Sequence, residues 1–499
     1  MKKLFALCVL VMSNFVFAQS PTQLKVTESN VFKDYLTSYN IITMYSAAEG
    51  KTVIARSGKK KFLFDVFDAD FNKTFSQDIK VSRKEIFVGE LFYNNKLKLF
   101  TVFAPKKDER IVYCHTVDLT TNSYNKTTIF ETTVEKKQDL FGSRKNHNTS
   151  FALSPNNEYL AIATDNITKN KNSYTIRVFS AKTNELIYKH SYQESEERSF
   201  EHNDLYIDNS ANVYSLGKLF IKGNFNKNTK GEANYQFVLN KISKEKNTEL
   251  ALNLEKEEHI QSLRIVPLDN QLQLIGFYSE LNVDRVKGSC SFLIDTQNFN
   301  LKTKHKQSLT KQVYEDLYGY RTGDRKSKKK KELRNFEIDH VLTDNNGNTY
   351  IIAEEFYITS TYVNNGNMGG YWTTTYHYDD ILILKNTPDG KLAWGRSIFK
   401  RATSPSYNAF LKDDQLHIIL NSGKNLTKKN DGRIKVSRGW FESTSLYDIE
   451  YSSNGDVSYN KIQDNKNKEF YFPFFGTYDG NKFIMMSSNK SKKRFMILE

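Results

Sequence analysis

Along most of this chain, apolar and polar residues alternate in short runs, the period-2 pattern of strands that bury one face. The runs pair across turns rich in Asn, Asp and Gly. Aligning "HNTSFALSPNNEYLA" from His147 with "HNDLYIDNSANVYSL" from His202 superposes the two histidines, Asn148 on Asn203, Phe151 on Tyr206, Asn157 on Asn212 and Tyr159 on Tyr214. "IDHVLTDNNGNTYII" from Ile338 and "YFPFFGTYDGNKFIM" from Tyr471 keep the same register. Looser copies at "AAEGKTVIA", "YNNKLKLF", "LDNQLQLIG" and "KDDQLHIIL" bring these hairpins to eight. Such turn residues tolerate the tight backbone that β-branched side chains resist.

A second signal follows the hairpins: an alternating strand ending in Asp, Ser or Asn, with Asn or Gly four residues later and a further strand beyond. It recurs seven times, for example at Asp68 and Asn72, Asp118 and Asn122, and Asn386 and Gly390. In "DDILILKNTPDGKLAWGRSI" this makes "DDILILKN" a third strand and "KLAWGRSI" a fourth, so its paired acids and Trp394 read as scaffold. Four antiparallel strands in each unit of roughly 60 residues predict an all-β fold, a single β-propeller. Eight blades are favoured, with seven as the alternative. The last unit stops at "KKRFMILE", the end of a third strand, so "TQLKVTESN" (22–30) is expected to supply the fourth and close the ring.

"DNNGNTYIIAE" followed by "DDILILKNTPDGKLAW" resembles the repeat of secreted bacterial β-propellers, in which Asp or Ser-Gly-x-x-x-Trp ends a blade. The resemblance is strongest over 338–398; elsewhere the Trp and most glycines are missing. It implies the fold and carries no function, because such scaffolds bind many things.

The first residues change the expected address. Two lysines, an apolar run over 4–18 and the end Val16-Phe17-Ala18 read as a secretory signal peptide over 1–18, with 19–499 as one domain. The run is too short to span a bilayer, and no later run is long enough, so the mature chain is expected in the periplasm or outside the cell. Beyond Cys8 only Cys114 and Cys290 remain, both inside apolar strands, and two separate buried thiols are expected.

Net charge is +15, and loss of Lys2 and Lys3 leaves +13. An exported chain meets anionic glycans and envelope polymers, so nucleic acid is not expected as a partner. The charge is concentrated: 57–61 carries +3, 310–335 and 421–440 carry +5 each, and 488–494 carries +4. All lie where a propeller joins second to third strands or one blade to the next, which predicts one basic face. A basic insertion at 310–335 offers Arg325, Lys328, Lys329, Lys330 and Lys331, and the loop near 421–440 offers Arg433, Lys435 and Arg438. The alternative reading of such lysine runs is a solvated surface. Tyr362, Tyr371, Trp372 and Tyr376 sit among Thr, Asn and Gly in 359–378, where rings could stack on sugars, or pack on the neighbouring blade in a long hairpin.

His147, His202 and His259 stand at or near the starts of three successive first strands. If they converge, they suit a divalent metal or acid/base chemistry; otherwise no cofactor is expected. The chain holds no His-Glu-x-x-His, Gly-x-Ser-x-Gly, Walker or dinucleotide motif. The sequence therefore points to a non-catalytic binding propeller for an anionic glycan, envelope polymer or partner protein. The alternatives are an enzyme acting on a polysaccharide or ester at a His-lined channel mouth, and a structural part of an envelope assembly.

Overall fold

In the computed structural model, residues 24–499 are described apart from 35, 37–39, 48, 136–138, 142–149, 168–171, 194–197, 222–227, 230, 231, 234, 256, 257, 281–284, 365–369, 424, 425, 429, 431, 432, 437–443, 489 and 490. The leader and His147 lie outside them. The fold is all-β and of propeller type. Among the described residues, four-stranded antiparallel meanders succeed one another along the chain, numbered here as sheets 1 (41–80), 2 (85–133), 3 (151–193), 4 (198–252), 5 (259–308), 6 (336–400), 7 (407–464) and 8 (477–498). No helix among them is long and apolar enough to cross a membrane.

The turns fall where the pattern placed them. Asn94, Asn95, Asn157, Asp413 and Asp414 take left-handed backbone conformations in the first hairpins. In three turns one Asp carboxylate organises the loop: Asp68 accepts the amides of Asp70 and Asn72, Asp208 those of Ser210 and Asn212, and Asp344 those of Asn346 and Asn348. This is why Asp and Asn recur four residues apart. Gly390 shows the other requirement, with φ +87° and space so tight that a Cβ would lie 2.1 Å from Ser291 Oγ.

Among the described residues, eight apolar clusters hold the sheets together, and each joins two of them. Phe64, Val66, Leu97 and Leu99 join sheets 1 and 2, and Tyr350, Ile352, Ile418 and Tyr451 join sheets 6 and 7. One cluster connects the last sheet to the first, through Ile484, Met486, Phe495 and Ile497 against Ile54 and Phe67. Sheet 8 obtains its fourth strand from the other end of the chain: Val26–Glu28 pairs antiparallel with Phe495–Leu498, Val26 opposite Leu498. The strand drawn from 22–30 is thus observed, in shorter form. Trp394 is scaffold, its indole donating to Ser453 O at 3.0 Å and packing between Tyr350 and Tyr451. Cys114 and Cys290 are separate, buried and free.

The basic insertion takes a form that its charge conceals. It forms two short helices, α1 (Lys311–Tyr318) and α2 (Tyr320–Lys328), and Val313, Tyr314 and Leu317 of α1 sit in the core between sheets 5 and 6. The apolar spacing 313, 314, 317 is a helical face. It is short enough for the flanking lysines to dominate the reading.

Candidate functional site

Sheet 6 carries the feature that distinguishes it from its neighbours. Its second strand (Thr349–Asn364) and third strand (Gly370–Asn386) continue beyond the first, whose pairing ends at Glu355, and the fourth, whose pairing ends at Ile381. From 356 to 378 they pair with each other as a two-stranded arm, with Tyr362 opposite Trp372, Ser360 opposite Thr374, and Ile358 opposite Tyr376. Cross-strand partners share a face. One face therefore presents, from tip to base, a ring pair, a hydroxyl pair, an Ile–Tyr pair and the Phe356–Tyr378 pair; the other carries Thr359, Thr361, Thr373, Thr375 and the stacked Tyr357–His377 pair.

The rings stand in solvent instead of packing on a neighbouring sheet. Trp372 is 68 % exposed, and Tyr362, Ile358 and Tyr376 are each about half exposed. The 23 residues of 356–378 include no Asp, Glu, Lys or Arg, in a chain where 26 % of residues are charged. The arm is thus an uncharged, ring-bearing surface on a strongly cationic protein. Tyr371 pairs with Val363 through the backbone, and its side chain lies outside the described ones.

The base of the arm is as charged as the arm is neutral. A bulge sets Asp379 and Asp380 opposite Glu355. Arg401 Nε lies 3.6 Å from Asp379, its Nη1 donates to Asp380, and Tyr357 donates to Asp379 at 2.9 Å. On the other face, Lys400 pairs with Glu354, and Tyr407 of sheet 7 donates to Asp339 at 2.7 Å. Burial pushes the carboxyls of Glu354 and Glu355 up to about 7, helped by neighbouring acids and opposed by Lys400 and Arg401 respectively. Asp380 rises to about 6 by burial, against Arg401. Asp339, open to water but closely surrounded by protein, also rises to about 6. Sequence reasoning missed this group, although the doublets Glu354-Glu355 and Asp379-Asp380, within the second and third strands, and Lys400-Arg401, where the fourth ends, were its signal.

The basic segments chosen from the sequence partly meet here. Arg433 packs over Phe399 and donates to Leu317 O at 3.4 Å, which ties the 421–440 loop to α1 and to the last strand of sheet 6. Thr427–Lys428 and Ile434–Val436 extend that sheet, Lys435 pairing with Phe399 through the backbone. Arg438 lies outside the described residues. Arg325, Lys328, Lys329, Lys330 and Lys331 are exposed, Lys328 paired with Asp324 at 2.7 Å. The basic surplus at 488–494 is partly consumed: Lys493 is buried against Asp34, and Arg494 pairs with Glu28.

Of the histidines, His202 accepts or donates at Tyr174 Oη (2.8 Å) and stacks on that ring, which belongs to sheet 3. His259 begins sheet 5, opposite Ser279. Among the described residues no three His, Cys, Asp or Glu side chains group as a metal would require.

No protein-family description and no curated protein matches the chain. Among solved structures it is similar to an uncharacterised protein of Listeria monocytogenes EGD-e, at 9 % identity over 81 % of this chain and 90 % of that one, TM-score 0.38. It is also similar to the polysaccharide lyase Uly1, at 7 % identity over 97 % and 94 %, TM-score 0.37. Prolyl oligopeptidase B of Galerina marginata aligns at 8 % identity over 94 % of this chain and 55 % of that one, TM-score 0.42.

Proposed function

We propose that the chain is an eight-bladed β-propeller, closed by its N-terminal strand, that works as an exported, non-catalytic binding protein for an anionic glycan or envelope polymer. The arm of sheet 6 is its recognition element. The observation that carries this reading is the arm's exposed face, with rings at Trp372 and Tyr376 and hydroxyls at Ser360 and Thr374 between them. Rings stack on the apolar faces of sugars while hydroxyls bond their rims. On a strand that rises about 3.4 Å per residue, Trp372 and Tyr376 stand roughly 13 Å apart, a span of two to three sugar units of an extended polymer. The exposed cations of 325–331 lie at the same end of the sheets and supply long-range attraction.

Two sets of variants test this. Trp372→Ala combined with Tyr362→Ala is expected to leave the melting temperature within about 1 °C, since both rings are solvated, and to weaken polymer binding at least tenfold at physiological salt. Replacing Lys328, Lys329, Lys330 and Lys331 together with Ala is expected to reduce affinity at low salt and flatten its salt dependence. Binding measured by calorimetry against charged and neutral glycans, lipopolysaccharide and peptidoglycan reads both. Unchanged affinity in the arm variant would remove the arm from the site.

A further inference from the structure

A second site lies at the same end of the molecule but away from the arm. A groove of about 630 Å³ runs between the turn Gly58–Lys61 of sheet 1, the connection from sheet 1 to sheet 2, and the short 3-10 turn Pro473–Phe475 that leads into sheet 8. Its floor and walls are apolar: Ile42, Ile86, Phe87, Phe474 and Phe475. Two of these are large side chains left in water, Ile86 at 53 % and Phe474 at 44 % exposure. Phe474 is not a loose loop residue. The turn that presents it is anchored by the Asn408 amide, which donates to Pro473 O at 3.1 Å and Gly476 O at 3.0 Å, and by the buried ring of Pro473. Holding a phenylalanine rigidly in solvent costs stability and is useful only when something covers it.

The rim is cationic. Lys60 and Arg83 are exposed, and among the described residues neither has a carboxylate partner, whereas Lys61 is paired with Asp78 at 2.7 Å. Lys60 holds its place through a left-handed turn backbone (φ 60°) whose carbonyl accepts the Val81 amide at 3.0 Å, so both sides of the groove are tied together. The acid that lines the groove, Glu85, is committed elsewhere: it accepts from Thr101 at 2.8 Å, sits 3.0 Å from His115 Nε2 and pairs with Lys126 at 3.0 Å. Its charge is thus compensated from behind, and the opening presents a positive rim over an apolar floor. We propose that this groove binds a single-chain amphiphile with an anionic head, its acyl chain over Ile42, Ile86 and Phe474 and its carboxylate between Lys60 and Arg83. The volume is that of an ordinary small-molecule site, and the division into apolar walls with a few polar anchors is the usual one.

The test uses the mature protein and two monomeric probes below their aggregation thresholds, laurate and dodecyltrimethylammonium, measured by isothermal titration. Laurate is expected to bind at one site. Lys60→Glu combined with Arg83→Glu, a change confined to exposed side chains, is expected to weaken laurate at least tenfold, and Ile86→Glu to abolish it. The cationic probe is expected not to saturate. The Trp372→Ala variant is expected to bind laurate as the unaltered protein does, which separates this site from the arm. Equal binding of both probes, or unchanged laurate affinity in the Lys60/Arg83 variant, would overturn the proposal. So would binding confined to phosphatidylglycerol vesicles with none of free laurate, since that result would make the groove a membrane contact.

Discussion

Replacing Asp34 with Ala is expected to cost roughly 3–5 kcal/mol of folding stability, because two buried cations lose their shared partner at once. Asp34, 5 % exposed, accepts from the guanidinium of Arg56 in sheet 1 and from Lys493 Nζ of sheet 8 at 2.9 Å, and also accepts the Leu36 amide at 3.0 Å. Arg56 and Lys493 are 1 % and 0 % exposed. Without Asp34, the carboxylate left to Arg56 among the described residues is Asp65, which also serves Lys73. Burial alone would raise the Asp34 carboxyl, yet Arg56, the Leu36 amide and Lys493 outweigh it and hold it below the ordinary value. A depressed carboxyl contributes stability that is fully present above its unfolded value near 4 and is lost only as pH falls through the folded value. The Asp34 effect is therefore expected to be constant from pH 5 to 8. Urea unfolding of Asp34→Ala against Asp78→Ala checks this, since the Asp78 pair with Lys61 is exposed on both sides and is worth at most about 1 kcal/mol. A loss below about 1 kcal/mol for Asp34→Ala would mean that the apolar cluster of Phe67, Ile484 and Phe495 joins sheets 8 and 1 unaided.

The same junction shows how far the sequence carries. That Val26–Glu28 joins the last sheet followed from counting strands, because an unfinished meander leaves an open edge that the other terminus can fill. The turns were legible for a local reason: each is set by residues within five positions, such as Asp344 and Asn348. The charged fastening was not legible. Asp34 reaches a lysine 459 positions away, and no period or motif relates them. The acid doublet Asp379-Asp380 failed in the same way. Alternation placed it in a third strand but began that strand at Asp379, whereas the strand runs from Gly370, and whether its two acids meet water or other acids depends on a bulge and on Glu355 and Arg401, more than 20 positions off on either side. Ring exposure along 356–378 was equally out of reach, since a long hairpin can lie down or stand free with the same alternation.

The second large effect is expected at that doublet. Arg401→Ala should cost about 2–3 kcal/mol at pH 8 and about 1 kcal/mol or less at pH 5. Arg401 is the cation facing Asp379 (1 % exposed) and Asp380 (7 %), but its own side chain is 44 % exposed, so solvent already screens part of the interaction and the full cost of a buried pair is not reached. The pH dependence follows from the raised carboxyls. With Glu355 near 7 and Asp380 near 6 in the folded chain, both are largely protonated at pH 5, so two of the acids that face Arg401 no longer call on its charge there. A raised carboxyl gives stability that is present below its unfolded value and lost as pH rises through the folded one, so the unaltered protein should weaken between pH 5 and 8, and the variant more steeply. His115, His190 and His340, whose values burial lowers, oppose this trend below about 6.5, and the decline ends once pH has passed the folded carboxyl values near 6 and 7. Adding Glu355→Gln to Arg401→Ala removes one of the crowded acids and is expected to return at least 1 kcal/mol at pH 8 and almost nothing at pH 5. Melting temperatures of the single and double variants across this range measure the coupling directly. A pH-independent loss would show that Arg401 acts by packing on Phe399 and not through the charge of the acids beneath the arm.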